Sequence, residues 1–104
     1  MHHFATVLGF GASAINPYMA LDSIRNMEKE ELLNGLSADD AIQNYIKAVD
    51  GGLLKIFSKM GISTLASYQG AQIFEIVGIN SEVVNKYFTN TVSRIITPYG
   101  IIMK

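Results

Sequence analysis

From Ile42 to Met60, large apolar side chains return every three or four positions: Ile42, Tyr45, Ile46, Val49, Leu53, Ile56, Phe57 and Met60. That spacing keeps one face of an α-helix apolar over its whole length and predicts the longest element of the chain here. Ser37 stands where an N-cap belongs, and Asp39 and Asp40 fall in the first turn, where the helix dipole favours negative charge. Gly61 supplies the stop. Gly51-Gly52 interrupts the pattern at a cost of roughly 1 kcal/mol per glycine relative to alanine, which predicts a kink or a close helix approach.

Weaker patterns flank this helix. His2 to Leu8 predicts a short helix stopped by Gly9 and Gly11, with a brief buried strand at Ala14-Ile15. Asn16-Pro17 pairs an N-cap residue with the residue best suited to the first helical position. The helix it starts runs through Tyr18, Leu21, Ile24 and Met27 to Leu32, and Gly35 ends it. Ser63 reads as the cap of a third helix through Leu65, Tyr68, Gln72, Phe74 and Val77, stopped by Gly78. Asn80 or Ser81 caps a fourth, carrying Val83, Val84, Tyr87, Phe88, Val92 and Ile95, and Thr97-Pro98-Tyr99-Gly100 breaks it. The expected fold class is mostly α: about four main helices with at most one short strand, near the N-terminus.

Composition changes this picture in one respect. At 104 residues the chain is one domain at most, yet 49% of it is apolar, only 16% is charged, and the mean hydropathy is +0.24. A small domain has much surface to cover with polar groups, so the excess predicts apolar faces that something else covers. The longest apolar stretch, Phe4 to Ile15, falls short of the roughly 20 residues a bilayer requires, and no Lys or Arg precedes it as in a signal peptide. The expectation is a cytoplasmic protein with no membrane association.

Eight Lys and Arg balance nine Asp and Glu, leaving no basic stripe for a nucleic acid. The absence of cysteine removes thiolate nucleophiles, Cys-ligated zinc and Cys-ligated iron–sulfur clusters.

Candidate chemistry is sparse. Gly9-Phe10-Gly11-Ala12-Ser13-Ala14 matches the G-x-G-x-x-A dinucleotide fingerprint, which needs a strand before it and a helix opening at its end. No acidic residue ends a second strand about 20 positions on, so a helix stop and tight turn is the simpler role. His2 and His3 point about 100° apart on a helix, and no further histidine exists to complete a metal site. Lys59-Met60-Gly61-Ile62-Ser63-Thr64 sets a cation beside a helix start that could hold an anion, but any helix–helix connection looks similar. Glu75 lies alone on its predicted helix, and no paired-carboxylate, Ser–His–Asp or H-E-x-x-H arrangement occurs. No catalytic, cofactor-binding or metal-binding residue is expected.

Several longer stretches carry a resemblance. His2-His3-Phe4-Ala5 and Gly9-Phe10-Gly11-Ala12-Ser13-Ala14-Ile15-Asn16-Pro17-Tyr18 resemble the end of the central domain of the glutamate synthase large subunit. Asn44-Tyr45-Ile46-Lys47-Ala48, Gly52-Leu53-Leu54-Lys55-Ile56 and Ser58-Lys59-Met60-Gly61-Ile62-Ser63-Thr64-Leu65 are similar to the stretch leading into its FMN-binding domain. Ser67-Tyr68, Gly70-Ala71-Gln72-Ile73-Phe74-Glu75 and Val92-Ser93-Arg94-Ile95 continue in the same order, so the likeness covers about residues 2 to 95. Gln69 stands where the family leads one to expect Arg, and Ala66 where a polar residue is common. After Ile95 the family continues into glycine-rich sequence. Ile96 to Lys104 diverges instead, which points to a truncated, frame-shifted or deliberately cut reading frame.

The resemblance implies a parent enzyme that makes glutamate from glutamine and 2-oxoglutarate in ammonia assimilation. It implies an N-terminal cysteine that releases ammonia, FMN on a (β/α)8 barrel and an iron–sulfur cluster. None of the family's catalytic or cluster-binding motifs falls on residues 1–104, and such a barrel alone takes about 250 residues. The implied organisation is residues 1–35 ending a central-domain-like α/β segment, residues 36–96 leading into an FMN-binding domain, and a divergent tail, 97–104. The leading expectation is an inactive scaffold fragment that binds no cofactor itself. Its partner is the remainder of the glutamate synthase polypeptide, or another copy through apolar helix faces. The alternatives are a stand-alone helical interaction or oligomerisation module and, on Gly9, Gly11 and Ala14 alone, a small dinucleotide-binding protein.

Overall fold

The computed structural model describes residues 1–95. Its elements are α1 (His2–Gly9), α2 (Tyr18–Lys29), α3 (Ala38–Met60), α4 (Leu65–Tyr68), β1 (Glu75–Val77), α5 (Ser81–Tyr87) and β2 (Val92–Ile95). The fold is mostly helical, with one two-stranded sheet.

The longest helix forms where the apolar period places it. Ser37 Oγ accepts the Asp40 backbone N–H and donates to Asp40 Oδ2, a reciprocal cap of the kind that stabilises a helix start by about 1 kcal/mol. At the other end Gly61 adopts φ 69°, and the N–H groups of Ile62 and Gly61 return to the carbonyls of Phe57 and Ser58, which is a Schellman stop. The Gly51-Gly52 pair leaves the helix unbroken, and Gly52 is a site of close approach: a Cβ there would overlap the Met1 side chain. Gly51 faces open space in an ordinary helical conformation. Gly51→Ala is therefore expected to stabilise the chain by about 0.5–1 kcal/mol, read from the urea midpoint. An unchanged or lowered midpoint would contradict the open position.

The connection before α3 departs from expectation. Helix α2 begins one residue after Pro17, which takes the cap position, and ends at Lys29 rather than at Gly35. Glu31 enters the left-handed region (φ 57°), and Leu32 and Glu31 donate to the carbonyls of Met27 and Glu28. This is again a Schellman stop, built on a residue that sequence reasoning does not offer for the role. It turns the chain so that α2 packs back on α3, and Glu28 Oε1 accepts the Ala38 backbone N–H at 2.7 Å. A glutamate of one helix thus satisfies one of the unpaired donors at the start of the next.

Three other expectations are corrected. Ala14-Ile15 is not a strand; residues 12–17 form an irregular connection. The third predicted helix stops at Tyr68, because Gly70 (φ 70°) and Gln72 (φ 52°) turn the chain out of it, and Glu75–Val77 is a strand. Gly70 N–H donates to the Gly9 carbonyl, a long-range bond that the helix would have forbidden. The fourth predicted helix ends at Tyr87, and Asn90 (φ 67°) starts the turn into strand β2. The β-branched Val92 and Ile95 suit a strand at least as well as the helical spacing that first places them. The Thr97-Pro98 break lies outside the described residues.

Strands β1 and β2 pair in parallel, Glu75 against Val92 and Ile76 against Ser93, with an irregularity between Ile76 and Val77. Helix α5 is their crossover, so the end of the described chain is a βαβ unit. Ile76 points inward and is buried, whereas Val77 is 66% exposed. Beside Ile76, the buried Ser93 Oγ has no hydrogen-bond partner among the described residues.

The core is small. Ala5, Leu8, Ala38, Tyr68, Ile76 and Val84 are its buried apolar residues. Tyr68 has no exposed surface, and its ring lies 4.4 Å from that of Phe57 and 6.4 Å, edge to face, from that of Phe74. Its hydroxyl donates to the Ala5 carbonyl at 3.0 Å, joining α4 to α1. Burial pushes the Tyr68 pKa above its ordinary value.

Candidate functional site

The stripe on α3 is only half covered. It forms one wall of an open groove of about 650 Å³. Val49, Leu53 and Phe57 line that wall, with Phe4 and Leu8 of α1 and the connection through Ile15 opposite. Leu54, on the lip, is 65% exposed. Among the described residues Asp50 is the one charged residue of the groove's lining.

A volume of this order suits small-molecule sites, but those sites hold several convergent polar groups that orient a ligand. Here Ser13, Tyr45 and Asp50 supply the polar side chains, and among the described residues no cation lines the groove to meet a phosphate. Among the described residues the lining does not fit FMN: the Asp50 carboxylate opposes the phosphate, and no lining residue offers it complementary charge. A Cys-ligated iron–sulfur cluster has no ligand in a chain without cysteine.

A smaller cavity of about 220 Å³ is lined by Phe10, Phe74, Gln72, Thr89 and Asn90 among others. It opens beside the residues that lead into β1 and β2, at the N-terminal edge of the parallel pair. In open parallel sheets, ligands bind at the opposite, C-terminal ends of the strands.

The sequence-level candidates are scattered. Gly9 is the last residue of α1 and Gly11 (φ 110°) its stop, with the Gly11 and Ala12 N–H groups returned to Leu8 and Val7 carbonyls. No strand precedes them and no helix opens at Ala14, so this stretch has neither the geometry nor the free donors of a pyrophosphate cradle. Its carbonyls have another use. Gln69 Nε2 donates to Ala12 O at 2.8 Å and reaches Gly11 O and Ser13 Oγ at 3.4 Å, tying the α4 end to the α1 stop.

His2 and His3 are exposed at the start of α1, and among the described residues no three His, Asp or Glu side chains converge as a metal site would require. Thr64 rather than Ser63 flanks α4, and Thr64 Oγ1 bonds Ser67 Oγ. With four residues, α4 is too short to focus a useful dipole on an anion beside Lys59. Glu75 sits on β1, not on a helix. Asp39 and Asp40 are first-turn residues of α3, as their position predicts.

Sequence reasoning missed the three features that organise this region: the Tyr68 hydroxyl bond, the Gln69 bridge and the Glu28 cap. Each joins residues far apart in sequence, and periodicity carries no signal for such pairs. The departure from Arg at Gln69 is the nearest to one. Among the described residues no helix is long and apolar enough to cross a membrane.

Comparison with known proteins identifies the relatives of this chain. A family profile described as glutamate synthase central domain matches residues 1–80. The chain is 49% identical over 96 residues to a glutamate synthase [NADH] of Schizosaccharomyces pombe, covering 91% of this chain and 4% of that protein. It is 50% identical over 103 residues to a ferredoxin-dependent glutamate synthase of Cyanidium caldarium, covering 90% of this chain and 7% of that one. To the glutamate synthase [NADPH] large chain of Bacillus subtilis it is 46% identical over 95 residues, 91% of this chain and 6% of the relative. The chain thus spans less than a tenth of the length of these relatives, while the likeness runs through nearly all of its own. A match of this extent and identity means that the chain belongs to the glutamate synthase central domain family.

Proposed function

We propose that this chain is a scaffold segment of a glutamate synthase, the enzyme that forms glutamate from glutamine and 2-oxoglutarate in cytoplasmic ammonia assimilation. On this reading it carries no catalytic group or cofactor itself, and the FMN and iron–sulfur cluster of the parent enzyme lie elsewhere in the polypeptide. The carrying observation is the groove on α3: the apolar face of the longest described helix stays open instead of closing over a core. Relatives named for NADH, NADPH and ferredoxin are about equally similar to it, which supports a role that does not depend on the electron donor. Residues 1–35 are proposed to end the central-domain part and residues 36–96 to lead toward the FMN-binding domain. The packing of α2 on α3 supports a close association of the two parts on this reading.

The test is a graft. This chain replaces the matching 96 residues of the Schizosaccharomyces pombe relative. The chimera is expected to be soluble and to make glutamate from glutamine and 2-oxoglutarate. The isolated chain is expected to be inactive and to give no saturable spectral change when titrated with FMN. Tight stoichiometric FMN binding by the isolated chain, or a soluble but inactive chimera, would overturn the proposal.

A further inference from the structure

We propose that the α3 groove is a helix-in-groove docking site, and that its occupant is an amphipathic helix of the remaining glutamate synthase polypeptide carrying a Lys or Arg opposite Asp50. The inference rests on the scaffold reading and adds the kind of element that seats there and its charge.

The chemistry of the walls selects a helix. Most lining residues belong to α1, α2 and α3, whose own backbone groups are already bonded within their helices. An entering segment therefore leaves water for a surface with few hydrogen-bond partners. A strand or loop would bury unpaired N–H and C=O groups at a cost, whereas a helix brings its own bonds with it. The dimensions agree: from Tyr45 to Phe57 the wall is roughly 18 Å long at about 1.5 Å per residue, or three turns of a partner helix. Such an occupant reads the wall through side chains at spacings of three and four, the period of the wall itself.

Charge restricts the occupant further. Among the described residues Asp50 is the lone acidic side chain on an otherwise apolar and hydroxyl-bearing lining, and a helix laid along the wall passes beside it. A carboxylate in a closing apolar interface favours a cationic partner and disfavours an anionic one, which makes it a selector more than a source of affinity.

The chain's lack of cysteine permits clean thiol labelling, so the probes are read against a single fluorophore on His3→Cys, outside the groove. Three stapled or proline-interrupted peptides of about 15 residues, a length at which a staple secures the helix, are titrated into the full chain. The Leu/Lys helix is expected to bind at least tenfold more tightly than the Leu/Glu helix and than the proline-interrupted Leu/Lys peptide. Leu54→Asp, at an exposed groove position, is expected to weaken Leu/Lys binding at least tenfold, and Leu32→Asp, at an exposed position outside the groove, to leave it within twofold. Asp50→Asn is expected to shrink the Lys-over-Glu preference to below threefold. Circular dichroism on each variant confirms that the fold is kept.

Equal binding of the interrupted peptide, or binding indifferent to Leu54→Asp, overturns the proposal. So does a chain that dimerises by itself and becomes monomeric with Leu54→Asp, because the occupant is then a second copy. An active chimera with no peptide binding removes the helix assignment alone, whereas an inactive chimera with peptide binding intact removes the scaffold role alone.

Discussion

Tyr68→Ala is expected to destabilise the chain by about 3–5 kcal/mol, as large aromatic truncations in cores do. Among the described residues Tyr68 is the one large side chain with no exposed surface, and it touches the rings of Phe57 and Phe74 while bonding the Ala5 carbonyl. Removing it opens a cavity where α1, α3 and α4 converge, in a chain with few other buried residues to compensate. Since small domains are stable by only about 5–15 kcal/mol, a loss of this size takes a large share of the total. Tyr68→Phe isolates the hydroxyl: the ring contacts stay, and the Ala5 carbonyl loses a donor, for a loss of about 1–2 kcal/mol. Urea titration of both variants checks the order. Losses below 1 kcal/mol in both would mean that Tyr68 is not the core.

The same residue sets an alkaline limit. Its folded pKa is raised by burial above the unfolded value of about 10. The folded state therefore holds this proton more tightly than the unfolded one. Its contribution to stability is complete below about pH 10 and is lost as pH rises through that value toward the folded pKa. The stability difference between the parent chain and Tyr68→Phe should be constant from pH 7 to 9 and shrink at pH 11. A difference that grows over that range would reverse the sign of the linkage.

Gly9→Ala is expected to cost about 1–3 kcal/mol even though alanine is the better helix former by roughly 1 kcal/mol. A Cβ at Gly9 would overlap the edge of the Phe74 ring. That ring is stacked on Phe10 at 5.5 Å and set edge-on to Tyr68, and Phe10 in turn meets Phe88. Moving Phe74 aside therefore disturbs the whole aromatic cluster. Phe74→Leu should remove most of the penalty, giving a coupling energy of about 1 kcal/mol or more in a double-mutant cycle. Additive losses would show that the ring is not the obstacle. Gly52, where the atoms nearest a Cβ belong to the flexible Met1 side chain, is the contrasting position, where alanine should be tolerated.

These cases show how far local signals reach. Ser37, the apolar stripe and Gly61 each state their role in the sequence, and α3 runs between the ends they mark. A cap bond or a repeating stripe involves residues within a few positions of one another, so composition and spacing suffice to predict it. The family likeness is legible for a related reason, since it rests on long ordered stretches rather than on a site. The error after Tyr68 has an equally specific cause. Leu65, Tyr68 and Gln72 satisfy a helical spacing, while Phe74 and Ile76 satisfy an alternating one, and a short segment allows both. The bond from Gly70 to Gly9 and the pairing of Glu75 with Val92 decide for the strand, and both partners are remote.

By itself, then, the sequence determined both ends of the long amphipathic helix, at Ser37 and Gly61, the helix itself, the lack of cysteine chemistry and the family likeness. Tertiary structure alone decided that Glu28 caps α3, that Tyr68 rather than the α3 stripe forms the core, and that the stripe opens as a groove. The division is physical. A periodic apolar face states that a residue will seek cover, and only the packing of distant segments decides whether that cover comes from its own chain.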